Sequence, residues 1–198
     1  MPGILREALQ IFLTGGGIMY MLGGVAFILY ATAFAAFTYV NHGNLNNKDA
    51  DKWSDWLDHP EEAEGRMGEA IRYALHGDRL TIKTVQRRFN EVRLNVVSAI
   101  DRRLLVVNTL TAAAPLAGLL GTVMGMLAMF GGLAQGQGAG GMQAVASGMQ
   151  EALITTQTGL TIALPGLFIG LIVKSKRDGT AAALTQVESM ILTKRFKA

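Results

Sequence analysis

Residues 104–173 read LLVVNTLTAAAPLAGLLGTVMGMLAMFGGLAQGQGAGGMQAVASGMQEALITTQTGLTIALPGLFIGLIV, and in those seventy positions the only ionisable side chain is Glu151. An acid inside membrane-length apolar sequence costs roughly 3 kcal/mol at mid-bilayer on insertion scales. It therefore calls for a water-filled cavity or a partner, and it marks a candidate functional site. The stretch contains two apolar runs long enough to span about 30 Å of hydrocarbon as helices, joined by a charge-free connection rich in Gly and Gln. Lipid-exposed coil is not viable within the bilayer, so that connection belongs on one side of it.

Working outward, Ile18 to Val40 is a third run of twenty-three uncharged residues, rich in Phe, Tyr, Leu, Ala and Gly. The alternative is a cleaved leader ending at Ala31-Thr32-Ala33, but the run exceeds the ~7–15 apolar residues of such segments. Half of the 198 residues are hydrophobic and 17% are charged. A chain of that balance is a small membrane protein rather than a soluble domain. A net charge of +3, with bases and acids interspersed, implies no nucleic-acid partner. There is no cysteine, and His42, His59 and His76 lie far apart on polar segments, so neither a metal site nor any cofactor is indicated.

The segments read as a lead-in at 1–17 and a first span at 18–40. A helical domain at 41–107 opens with NHGNLNN, a turn-forming cluster. Next come a second span at 108–131, a connection and helix start at 132–149, a third span at 150–173 and a C-terminal helix at 174–198. Within 41–107, Asp58 before Pro60 and Glu61-Glu62 predicts a helix start, with a stop at Gly77. A second helix is expected from near Asp78. Its apolar residues Ile82, Val85, Phe89, Val92, Val96 and Ile100 recur at steps of three and four, and it continues without a break into the second span. Trp53, Trp56 and Leu57 suit either the membrane interface or packing against this helical domain. The third helix is expected from around Met142.

Orientation follows from the bases. Eleven of the eighteen Lys and Arg lie in 48–103 and six in 174–198, whereas the lead-in holds one and the connection between the second and third spans holds none. The positive-inside rule then places the N-terminus outside and the C-terminus in the cytoplasm. The fold expected is an all-α membrane protein of three transmembrane helices, with long helices extending into a cytoplasmic helical bundle.

Inside the membrane, Pro115, Gly118, Gly121, Thr122 and Gly125 lie within APLAGLLGTVMGM. The Gly121-xxx-Gly125 spacing permits close helix approach, so these glycines read first as a packing face, and Thr122 equally as a hydroxyl bonded back to its own helix. On the third helix, Thr155 and Thr158 fall within about 40° of Glu151, as do Ile162, Pro165 and Ile169, whereas Thr156 lies about 140° away. Gly159 and Pro165 extend the packing positions. Glu151 lies roughly 33 Å along the helix from Val173, toward the outer leaflet. It reads either as a headgroup-level boundary or as a group poised for proton transfer. A carboxyl can gain and lose a proton, and reversible protonation is what proton transfer requires. A hydrolytic enzyme is not indicated, because the spans offer no His and only one carboxylate. The Gly-rich GQGAGG follows no strand and lacks the Lys of a phosphate loop.

APLAGLLGTVMGM and MQEALITTQTGLTIALPGL closely resemble the ExbB/TolQ/MotA proton-channel family, and the likeness covers residues 104–173 in detail. The resemblance implies a pentamer of this chain around a pair of single-span ExbD- or TolR-like partner helices, each with a membrane aspartate. Proton flow would then drive motion coupled to the outer envelope through a TonB- or TolA-like protein. Carried over, the family's pore threonine falls on Thr122, its membrane glutamate on Glu151 and its second threonine on Thr156, whereas the helical wheel favours Thr155 and Thr158. Three spans set the chain apart from the four-span flagellar branch. ExbB-like, TolQ-like and gliding-type systems stay open, as do the choice of H⁺ or Na⁺ and a purely structural scaffold. A small-solute transporter is disfavoured by the absence of an internal repeat.

Overall fold

The computed structural model describes residues 12, 14–41, 53, 55–57, 59–63, 65–76, 81–135 and 139–196. The NHGNLNN turn beyond Asn41, the Asp58 start, the Gly77 stop, the Asp78 start, residues 136–138 of GQGAGG and most of the lead-in lie outside these. The described residues are helical with short turns, in four main helices: α1 (Gly16–Asn41), α2 (Gly65–Leu75), α3 (Ile82–Gln135) and α4 (Ala139–Phe196). Three of them, α1, α3 and α4, are long and apolar enough to cross a membrane. Their contacts divide the chain into two compact units, Met1–Thr32 with Val106–Phe168 and Ala33–Leu105 with Ile169–Ala198.

In the first unit the three long helices meet through small residues and one short apolar stripe. Ile18 and Leu22 of α1 cluster with Ala114 of α3 and Ile162 of α4. The α1 phenol of Tyr30 donates to the Ile162 carbonyl at 3.1 Å. Large side chains such as Phe27, Leu116, Leu119, Leu127, Phe130 and Leu167 point outward. That reversal of the usual soluble pattern is what a lipid solvent permits.

The second unit is built around large buried side chains. Trp53, Leu57, Met67, Ile71, Val85, Phe89, Leu184, Val187 and Ile191 form one core cluster. Trp53 lies in that core and Trp56 packs against it, as the packing alternative expects. A second cluster joins Ala36 and Val40 of α1 to Ile100, Leu104 and Val173. Arg177 reaches Asp101 through a fork of two 2.8 Å hydrogen bonds, Nε to Oδ1 and Nη2 to Oδ2. Arg93 pairs with Glu188 at 3.1 Å. The Arg103 guanidinium stacks 4.2 Å over the Tyr39 ring, and Lys176 donates to Asn41 Oδ1 at 2.9 Å.

The helix ends differ from the sequence expectation in four places. Pro60 stands after a helical turn at 55–57 instead of opening a helix, because the residue before a proline is pushed out of the α region. α2 starts only at Gly65, whose φ of +71° suits glycine. α3 starts at Ile82, where the Thr84 and Val85 N–H groups donate to the Thr81 carbonyl at 2.9 and 3.1 Å. α4 begins at Ala139, three residues before Met142, and runs unbroken through Lys174 to Phe196. The charge boundary at Lys174 leaves the backbone of the helix unbroken. Neither Pro115 nor Pro165 interrupts its helix.

Candidate functional site

The site lies wholly within the first unit, where α3 and α4 run antiparallel at backbone contact. A Cβ added to Gly118 would lie 2.9 Å from the Thr155 carbonyl oxygen and 3.1 Å from Thr156 Cα. One on Gly159 would lie 2.6 Å from the Ala114 carbonyl oxygen, and one on Gly125 2.7 Å from that of Gly148. Gly121 is filled by the Thr155 side chain, whose Cβ would stand 2.5 Å from any methyl there. The contact atoms are largely backbone, so the glycines are a steric requirement of this approach, as small-residue packing in membranes demands. Pro115 is half-buried on the same helix, while Pro165 is exposed and its neighbour Gly166 makes the contact, against Leu29 and Thr111.

The threonines divide by what their hydroxyls reach. Thr155 is fully buried and donates to the carbonyls of Glu151 at 3.1 Å and Ala152 at 3.0 Å. Thr156 crosses between helices, donating to the Gly118 carbonyl at 3.2 Å. Thr158 bonds Ile154 at 2.8 Å, and Thr122 bonds Leu119 at 2.7 Å, each within its own helix. Thr155 and Thr156 therefore both meet α3 although they project 100° apart, because α3 lies close enough to be touched by both. Thr122 sits within about a turn of the Glu151 level in this register, but its hydroxyl is turned to its own backbone.

Glu151 is half-buried, and its carboxylate is directed at the N-terminal end of α1, where a Cβ on Gly16 would overlap Oε1 and stand 2.8 Å from Cδ. Gly16 has φ +64°, a conformation that L side chains rarely adopt. One turn along α4, the methyl Cγ2 of Ile154 would lie 3.5 Å from a Cβ on Gly15. The structure thus joins Glu151 to α1 through its side chain and to Thr155 through its backbone. The sequence alone leaves Gly16 within the lead-in at 1–17, with no role assigned to it. A glycine triplet immediately before an apolar run was the available signal. The sequence alone likewise assigns no role to Thr111, a buried residue whose hydroxyl has no hydrogen-bond partner among the described residues, lodged beside Gly166.

Comparison with known proteins gives this geometry a context. Residues 62–186 match the model of the MotA/TolQ/ExbB proton channel family. The Biopolymer transport protein ExbB-like 1 of Synechocystis sp. is 44% identical over 66 residues, 32% of this chain and 26% of that protein. The matched part thus spans about a quarter of the length of that relative. With three helices able to cross a bilayer and a family match over more than half its length, the chain is a multi-pass membrane protein that belongs to the MotA/TolQ/ExbB proton channel family.

Proposed function

We propose that this chain is the channel-forming stator subunit of a motor in the bacterial inner membrane, driven by the proton-motive force and energising outer-membrane transport or another envelope process. The observation that carries the reading is Glu151, the lone acid of a seventy-residue uncharged stretch, half-buried beside the α3–α4 threonines. In this account the N-terminus faces the periplasm and the C-terminus the cytoplasm, as the distribution of bases favours. Five copies surround single-span ExbD- or TolR-like helices with a membrane aspartate, and a TonB- or TolA-like protein carries the motion outward. Glu151 borders the ion path near its outer end, and Thr122, Thr155, Thr156 and Thr158 supply hydroxyls along it. Gly118, Gly121, Gly125 and Gly159 hold α3 and α4 close enough for that arrangement.

The division of labour has a chemical reason. A hydroxyl can relay a proton but cannot store one, whereas a carboxyl can do both. One carboxyl per chain gives one storage point, so an acid on the partner completes the path. It follows that the purified oligomer alone conducts little when reconstituted in vesicles. A strong proton leak from this chain without its partner contradicts the reading.

A structural scaffold is the second reading, favoured by the fact that the hydroxyls of Thr122, Thr155, Thr156 and Thr158 all donate to backbone carbonyls. The two separate on one comparison. As a scaffold, Thr122→Ala and Glu151→Gln change oligomer size. As a channel, Glu151→Gln stops energised function in cells and leaves the oligomer intact.

A further inference from the structure

The first span of a three-helix subunit is easily taken as an anchor, yet here its beginning is in contact with the one membrane carboxylate. Two features of Gly16 converge on that contact. Its φ of +64° is one that a side chain strains, and the space a Cβ would take is occupied by Glu151 Oε1. The next residue behaves differently, since a Cβ on Gly17 would meet nothing within 4 Å. The contact therefore belongs to one position of the triplet, not to glycine content in general.

The electrostatics agree with the sterics. The first N–H groups of a helix lack intrahelical acceptors and carry the positive end of its dipole. The first turn of α1 has no acid of its own to meet them. Glu151, from α4, brings a carboxylate to that end. Ile154, one turn further along α4, packs at Gly15 of the same turn. The Thr155 hydroxyl, by contrast, is committed to main-chain carbonyls and does not hold the carboxylate.

We propose that Gly16 is a positioning residue for Glu151: the glycine turn that opens the first span is the seat of the Glu151 carboxylate, and it sets where that group stands at the outer end of the path. The proposal rests on the proton-path reading for its functional meaning, but the seat itself is a matter of geometry. It makes α1 a part of the site. A side chain at position 16 must push the carboxylate aside, and a shorter acid at position 151 must fall short of the turn.

The test is the rate at which dicyclohexylcarbodiimide modifies the carboxyl at position 151, read by mass spectrometry on the full-length purified oligomer in nanodiscs. Neither the partner nor proton flow is needed for this measurement. A seated carboxyl is shielded, so Gly16→Ala is expected to label several-fold faster than the wild type, and Gly17→Ala at the wild-type rate. Equal rates for Gly16→Ala and the wild type, in oligomers of the same size, overturn the seat. Glu151→Asp serves as a second route should Gly16→Ala not assemble. It too is expected to label several-fold faster, and labelling at the wild-type rate overturns the proposal equally. Where both single variants assemble, the double variant is expected to label no faster than Glu151→Asp, because either change alone empties the seat. Additive acceleration contradicts it. Loss of the proton-path reading would leave these rates unchanged, so the two claims fail separately.

Discussion

The α3–α4 contact of the first unit and the core cluster of the second hold helices together by different means. Around Phe89, Ile71 and Leu184, large apolar side chains are withdrawn from solvent into one core cluster. Around Gly118 and Gly159, large side chains turn outward and backbone meets backbone. The reason is the solvent. In water, burying apolar area stabilises at about 25 cal/mol per Å², whereas lipid tails are as apolar as leucine and leave close packing and interhelical hydrogen bonds to drive association. The same polypeptide helix, α3, changes from one rule to the other along its length.

That contrast can be broken at either end. Phe89→Ala removes a ring that is 1% exposed from the second unit, and a loss of about 3–5 kcal/mol is expected, read as a lowered unfolding midpoint in denaturant. The first unit should respond to the opposite change. Gly121→Ala adds a methyl that collides with Thr155, and a loss of about 1–3 kcal/mol is expected from overpacking. Gly24→Ala, where a Cβ meets nothing within 4 Å, should instead gain up to about 1 kcal/mol from helix propensity. Thermal unfolding of the two glycine variants in the same detergent decides the matter. Equal effects would mean that glycine serves flexibility there and not contact.

The smallest expected effect lies in the charged region. The Tyr73 hydroxyl donates to Glu91 Oε2 at 2.8 Å, and that bond, with the Glu91 charge, raises the phenol above its usual 10.0. The folded state thus favours the neutral phenol. Its contribution to stability is present below the ordinary value and is lost as pH rises through the raised one. Ultraviolet titration of wild type against Glu91→Gln should show the Tyr73 phenol returning toward its ordinary value in the variant, with little change in stability because Tyr73 is half exposed.

Much of this architecture could be read from composition and period. Three charge-free runs of more than twenty residues predict three helices able to cross a bilayer, and steps of three and four from Ile82 to Ile100 predict the helix that leads into the second of them. The glycine spacing at 118, 121 and 125 pointed to a close approach. What could not be read were features fixed by another segment. Trp53 suits an interface or a core equally until it is seen in one buried cluster with Val85 and Leu184. Pro60 suits a helix start or a stop, and the turn at 55–57 decides for the stop. The wheel placed Thr155 with Glu151 but could not say that the carboxylate itself meets α1, because that contact joins residues 135 apart in the chain. Periodicity within one helix carries no information about which neighbour fills a face.

The most direct test of the account is proton flux through vesicles that contain the wild-type chain or Glu151→Gln, each assembled with its single-span partner. The account predicts that Glu151→Gln stops flux driven by a pH gradient while the oligomer keeps its mass and its partner. Flux at the wild-type rate from an intact Glu151→Gln complex would contradict it.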